Sequence, residues 1–317
     1  MKNKIHYWPG LFCLLFAALF SCSKADEGNT FPICNTFSHD SICFCRTHKE
    51  NVRCNDFKLT VFSKAAASLT PSQTNGTIWS KGFVIDHSIY IIDRESNAPH
   101  TFLKLDVQKN DAWEVLPKFP GTDYGLTGSA NGKGYASSYA SKKFWEYDPI
   151  KNEWTPLADL PFSTIETHWI EYNGKFYVPS NNGIFEFNAS TQEWNKISTQ
   201  TSSGFGAIFL VGDDMYWYNI NDTYMSRFNF VDKSYEKVNV PDDFNISTAF
   251  NSPFVIDGIA MVVYNRDLWR FDAVSKTWSV KKNGIKTGSA YGDDVFVIDE
   301  KPYLIYDGSV LVFEPAE

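Results

Sequence analysis

Residues 144–154, FWEYDPIKNEW, decide the fold. A short apolar strand runs into an Asp-Pro turn, and Trp154 follows Asp148 after a few polar positions. Strand, turn and returning aromatic are what a β-hairpin edge looks like in sequence. The unit recurs. Residues 102–113 read FLKLDVQKNDAW, residues 184–194 read IFEFNASTQEW, and residues 268–278 read LWRFDAVSKTW. A fifth copy, MSRFNFVDKSY at 225–235, ends in Tyr235. The closing aromatics Trp113, Trp154, Trp194, Tyr235 and Trp278 lie 41, 40, 41 and 43 residues apart.

Upstream of each unit lies a second hairpin, two apolar runs around a tight polar turn. These read FVIDHSIYII (83–92), SANGKGYA (129–136), IEYNGKFYV (170–178), FLVGDDMYWY (209–218) and FVIDGIAMVV (254–263). A sixth, VFVIDEKPYLI (295–305), has no complete unit after it. Each period therefore holds four short strands, the content and length of one propeller blade. Six hairpins predict six blades in an all-β chain. The closing Trp residues are expected between blades, in the core.

The turn Asn-Gly-Lys-x-Tyr at Asn131–Tyr135 and Asn173–Tyr177, followed by Tyr147-Asp148-Pro149 and Trp154, resembles the Kelch family of β-propellers. The resemblance runs from about Trp79 to Pro315. The Gly-Gly pair that ends the second strand in that family is replaced here by Ile92-Asp93, Pro179-Ser180, Trp217-Tyr218 and Tyr264-Asn265. The Asp-box and WD40 repeats fit less well, because the Asp-box glycine is missing and no repeat ends in Trp-Asp. The sixth blade stops after three strands, and an open edge invites pairing with other chains. Phe57–Phe62 (FKLTVF) is the strand-like run on the N-terminal side, and it is expected to lie alongside Ser309–Phe313.

Ahead of the ring, Lys2 and Lys4 precede the apolar run Leu11–Phe20, which is too short to span a bilayer. Leu19-Phe20-Ser21-Cys22 resembles the lipobox of bacterial lipoproteins, which implies acylation at Cys22 and a signal peptide over 1–21. Several acyl chains anchor a protein stably where one does not. Ser23-Lys24-Ala25-Asp26-Glu27 is similar to the charged stretch of surface-exported Bacteroidota lipoproteins. The expectation is a protein on the bacterial outer membrane, periplasmic or surface-exposed, touching the membrane through its lipid alone. Its organisation is a stalk over 22–56 and a propeller over 57–317.

Cys34, Cys43, Cys45 and Cys54 form an even set, which in an exported chain reads as two disulfides. A bridge from Cys43 to Cys45 would be strained, so Cys34–Cys43 with Cys45–Cys54, or Cys34–Cys45 with Cys43–Cys54, remain. His39 and His48 lie among them, but the spacings match no common zinc pattern.

The 317 residues carry 29 basic and 37 acidic side chains, a net charge of -8. Loss of Lys2 and Lys4 with the signal peptide brings the mature chain near -10. Such a balance excludes phosphate-backbone binding as the main activity, so no nucleic acid is expected. The aromatic fraction of 16% is largely accounted for by the repeat.

In a four-stranded blade the innermost strand lines the channel, so the residues that begin it converge at one mouth. Those positions are Ser80-Lys81, Gly125-Leu126, Thr167-His168, Gly206-Ala207, Asn251-Ser252 and Asp293-Asp294. Loops on the same face add Arg94, Glu95, Tyr139, Asn181, Asn182, Asn219, Asp222, Asn265, Arg266 and Asp307. Lys81, Arg94, His168, Trp169, Asn251, Arg266 and Asp293 are the ligand-binding candidates, with Trp217, Tyr218 and Tyr291 nearby. Amides, carboxylates and aromatic faces together suit a sugar. No nucleophile elbow, phosphate loop or zinc helix motif is present, so no cofactor or metal is expected. His87 belongs to the opposite face and His100 to a long loop, which leaves no set of several His for a metal. The ring holds no Cys, which removes any resemblance to galactose-oxidase-type enzymes.

Two functions remain. The first is a non-catalytic, monomeric lipoprotein that binds a glycan or protein through the loop face. The alternative is a sugar mutarotase or epimerase similar to the Kelch-type sialic acid mutarotases. Its acid–base candidates are His168, Asp293 and Asp294, and Lys81, Arg94 and Arg266 would meet a carboxylate.

Overall fold

The computed structural model describes residues 57–64, 80–93, 100–109, 113–122, 125–139, 141–163, 167–201, 208–218, 223–242, 253–256, 258–264, 267–281, 294–306 and 309–315. Strand β1 (Phe57–Lys64) precedes five sheets built from continuous chain. Blade 1 is β2 (Ser80–Ile85), β3 (Ser88–Asp93), β4 (His100–Asp106) and β5 (Glu114–Phe119). Blade 2 is β6 (Leu126–Ala130), β7 (Lys133–Ser137), β8 (Phe144–Asp148) and β9 (Glu153–Pro156), with a two-residue strand β10 (Thr167–His168) added to it. Blade 3 is β11 (Ile170–Tyr172), β12 (Lys175–Ser180), β13 (Gly183–Asn188) and β14 (Glu193–Ser198). Blade 4 is β15 (Ile208–Val211), β16 (Asp214–Tyr218), β17 (Tyr224–Asn229) and β18 (Tyr235–Asn239). Blade 5 is β19 (Phe254–Ile256), β20 (Ile259–Tyr264), β21 (Asp267–Asp272) and β22 (Thr277–Lys281).

Blade 6 is assembled from both ends of the described chain. β23 (Val295–Ile298), β24 (Lys301–Tyr306) and β25 (Ser309–Pro315) come from one end, and β1 pairs antiparallel with β25 as the outermost strand. Phe57 faces Pro315, Lys64 faces Ser309, and a bulge interrupts the register between Val61 and Ser63. The fold is a six-bladed β-propeller, and among the described residues there is no helix.

Turn chemistry explains why the strands end where they do. Asn131-Gly132 and Asn173-Gly174 both hold positive φ angles at each residue, the geometry that two-residue hairpins require. The turn between the third and fourth strands uses a side chain. Asp148 Oδ1 accepts hydrogen bonds from the amides of Ile150 and Lys151, and Asp106, Asn188, Asn229 and Asp272 do the same one blade at a time. The recurring acid or amide of the repeat is therefore a turn former. Where it is Asp148, the bonds from Lys151 and Ile150 lower its pKa despite some desolvation.

Between adjacent blades lies an apolar cluster that contains residues of both. Phe83, Tyr90 and Phe102 of blade 1 meet Ala136 and Tyr147 of blade 2, and Trp154 packs against them. Trp113, Trp194, Tyr235 and Trp278 repeat that role, each covering the seam with the preceding blade. Trp217 and Tyr218, considered above as surface aromatics, are buried in the seams on either side of blade 4. Successive strand residues point to opposite faces, so two neighbours serve two seams. Large aromatic rings bury about 150–250 Å² each, which makes these seams the main source of ring stability.

The hairpins divide the ring into two faces. One carries the turns between strands one and two and between strands three and four. Val107 N donates to His87 O and Phe230 N to Asp213 O, which ties the two kinds of turn together. The other, the loop face, carries the starts of the innermost strands.

Candidate functional site

Three of the residues expected at the channel mouth come together: Lys81 from blade 1, His168 between blades 2 and 3, and Asp294 at the start of blade 6. Lys81 Nζ lies 2.7 Å from Asp294 Oδ1, and both side chains are buried. His168 Nε2 lies 3.4 Å from the same oxygen, and its Nδ1 lies 3.0 Å from Thr127 Oγ1. If Nε2 carries the proton toward the carboxylate, Nδ1 accepts the hydroxyl of Thr127. Both ring nitrogens are thus held, which fixes the plane of the imidazole.

The path to this arrangement is local. Strand β10 does not begin the inner strand of blade 3. It pairs in parallel with β6 instead, Thr167 opposite Leu126 and His168 opposite Thr127. The next residue explains why. Trp169 lies flat across Gly128, where a Cβ would collide with the indole, and its ring packs against Tyr135, Phe176 and Phe187. Burying the indole in the seam of blades 2 and 3 draws the chain over the edge of β6 and sets His168 beside Thr127. Trp169 is consequently a core residue that also borders the channel, with little of its surface exposed.

Electrostatics separate the two titratable partners. Burial alone would raise the Asp294 carboxyl, but the Lys81 ammonium and then His168 outweigh it and hold its pKa at about 2. Asp294 is 0% exposed and stays ionised, while His168 keeps 23% of its side chain accessible. His168 is therefore the group of this trio that a ligand can touch.

Beneath the mouth runs a channel of about 600 Å³ lined by the inner strands of all six blades. Its wall includes Val84, Leu210, Val255 and Val297 together with the polar side chains of Thr127, Ser129, His168 and Glu171, so it is mixed in character and carries one carboxylate. Pockets of some 300–1,000 Å³ hold small ligands.

The other expected positions divide clearly. Leu126 is core. Tyr139, Asn181 and Asn182 are exposed on the loop face, and Asn182 Oδ1 accepts from Lys196 Nζ. His100, read above as a loop residue, begins β4, is buried, and makes a 2.8 Å contact with the Thr122 carbonyl. His87 lies on the turn face, 3.1 Å from Asp299. Arg94, Glu95, Asn219, Asp222, Asn251, Asn265, Arg266, Tyr291, Asp293 and Asp307 lie outside the described residues, as do Cys22, Cys34, Cys43, Cys45 and Cys54. Among the described residues no group of three or more His, Cys, Asp or Glu is placed to hold a metal ion.

Thr127 is the member of the site that sequence reasoning missed. The signal available was its position one residue after Leu126, next to a glycine that a large neighbour would need.

No protein-family model matches this chain, and no curated protein matches it in sequence. Among solved structures, one reported as the structure of YjhT superimposes with a TM-score of 0.61 at 15% identity, over 77% of this chain and 95% of that one. The two share a fold. At that identity the likeness concerns the ring and its blade order, and the residues of the mouth have to be argued from their own geometry.

Proposed function

We propose that this chain is a Kelch-type propeller carried as a lipid-anchored protein of the bacterial outer membrane, and that it binds the end of a glycan at the loop face. One observation carries the binding reading. A partly exposed imidazole, held by both nitrogens, borders a channel of about 600 Å³, a volume within the range of small-ligand pockets. With both nitrogens engaged by Thr127 and Asp294, the imidazole presents its ring face and edge beside the apolar part of the wall, and Ser129 and Glu171 supply polar side chains to the same channel. A pyranose presents C–H groups on its face and hydroxyls at its rim, which matches that pair of features.

The same geometry favours binding over catalysis. Opening a cyclic sugar takes an acid and a base that both reach the substrate. In the described mouth Asp294 is buried behind His168 and is held ionised by Lys81, so it orients the ring and takes no proton near neutral pH. A second reading, sugar mutarotation or epimerisation, is favoured by the contact between His168 Nε2 and Asp294 and by the Glu171 carboxylate in the same channel wall. That contact would stabilise a transient imidazolium.

A glycan array probed with residues 23–317, followed by calorimetry on any hit, tests the primary reading. Binding that disappears in His168→Ala supports it. Capture of a protein partner with no glycan recognised, or binding unaffected by His168→Ala, overturns it. Faster exchange between the anomers of free sialic acid, lost in His168→Ala, would replace it with the second reading.

A further inference from the structure

The large hydrophobic side chains left most exposed occupy one repeated position. Among the described residues these are Ile150 at 95%, Val274 at 72% and Val231 at 67%. Each stands two residues after the acid or amide that forms the turn between strands three and four: Asp148, Asp272 and Asn229. Single exposed aliphatics are ordinary on a protein surface. Three stand at the same position of blades 2, 4 and 5, in the turns between strands three and four on the turn face.

A second observation concerns where the remaining chain leaves the ring. β1 runs antiparallel to β25, and the hairpin between β24 and β25 lies on the loop face. Pro315 and its partner Phe57 therefore lie on the turn face, in blade 6. The 56 residues that precede Phe57, with Cys22 among them, join the ring on the side that displays Ile150, Val231 and Val274.

We propose that the turn face docks on the surface of a phospholipid bilayer, with these three side chains seated at the headgroup boundary and the loop face turned away. The inference rests on the reading of Cys22 as a lipid anchor and adds a direct contact between ring and membrane. The contact is apolar in character. Asp86, Asp213, Asp299 and Glu300 sit in turns nearer the axis of the same face, while exposed Lys151, Lys233 and Lys276 flank the three aliphatics, so headgroups of either charge meet a partner and the aliphatics supply the feature the three turns share. Tethering supplies the concentration that three isolated aliphatics lack on their own, since a linked second contact forms at high effective concentration. The consequence is an orientation in which the His168 mouth points toward the surroundings.

The test uses the full chain, expressed in a bacterial host and placed in phosphatidylethanolamine–phosphatidylglycerol vesicles. Intact mass first reports whether Cys22 is acylated; a chain without acyl groups overturns the anchor, and the docking with it. With acylation present, amide exchange at 149–151, 230–232 and 273–275 should slow about tenfold relative to an Ile150→Asp, Val231→Asp, Val274→Asp variant. Exchange at 181–182 on the loop face should match in the two proteins. Equal exchange at the three turns overturns the docking and leaves the anchor standing. Protection of the same turns in Cys22→Ala protein without vesicles assigns them to contact between copies and also overturns it. A serine triple variant, with unchanged melting temperature as the check on folding, repeats the comparison without added charge.

Discussion

Blades 2 and 6 share a four-stranded plan and are put together in different ways. Blade 2 is one unbroken stretch, with hairpins set by Asn131-Gly132 and by the Asp148 turn, and with Trp154 packed on the preceding seam. Blade 6 takes its outer strand from residues 57–64 and the other three from 295–315, so its last pairing closes the longest loop in the molecule. Contacts within blade 2 close short loops at small entropic cost, while the β1–β25 pairing closes a loop that spans the whole ring and costs more. The difference teaches that the repeat makes blades and the closure makes a ring.

The comparison breaks most visibly if β1 is removed. Deletion of residues 57–64 exposes the edge of β25 and should abolish the single cooperative thermal transition. A truncated chain that melts at the temperature of the full one would show that blade 6 does not hold the ring.

A smaller effect is expected at the seam of blades 6 and 1. Lys81→Met strips the buried Asp294 carboxylate of its ammonium and should cost about 3–5 kcal/mol in urea unfolding. Lys143→Met, which removes an exposed pair with Asp159 from blade 2, should cost less than about 1 kcal/mol. Equal costs would mean that the seam carries no special load.

Acid offers a third, milder probe. Asp294 has its folded pKa lowered from 3.8 to about 2, so its contribution is complete above pH 4 and disappears as the pH falls from about 4 to about 2. The loss should amount to about 2 kcal/mol and should be missing in Asp294→Asn. A wild-type stability curve that stays parallel to that variant's throughout this window would contradict the assignment.

The smallest change belongs to the turns of blade 2. Asp148→Ala removes two exposed hydrogen bonds and should lower the melting temperature by no more than about 3 °C. A larger fall would make the turn, and not the closure, the organising feature.

Much of the ring is legible in the chain. The Asp or Asn of each repeat and the spacing of Trp113, Trp154, Trp194, Tyr235 and Trp278 mark strands and turns, because those are fixed within a few residues. Phe57–Phe62 reads as a strand, and only one blade lacks a partner for it. The mouth was harder. Lys81, His168 and Asp294 follow from aligning the hairpins, but the same alignment offers Trp169, Trp217 and Tyr218 as surface aromatics. Those three are core, since side chains alternate across a strand and one position of slip reverses which way each points.

By itself the sequence determined the repeated unit, the number of blades and the chemistry of each turn, since alternation and turn residues act over short distances. Tertiary structure decided which polar groups meet. Trp169 settles over Gly128, β10 pairs with β6, and His168 thereby reaches both Thr127 and Asp294. The direction of β1 set the face on which Phe57 enters the ring. These outcomes depend on contacts between segments far apart in the chain, and no local pattern records the direction in which a side chain will find its partner.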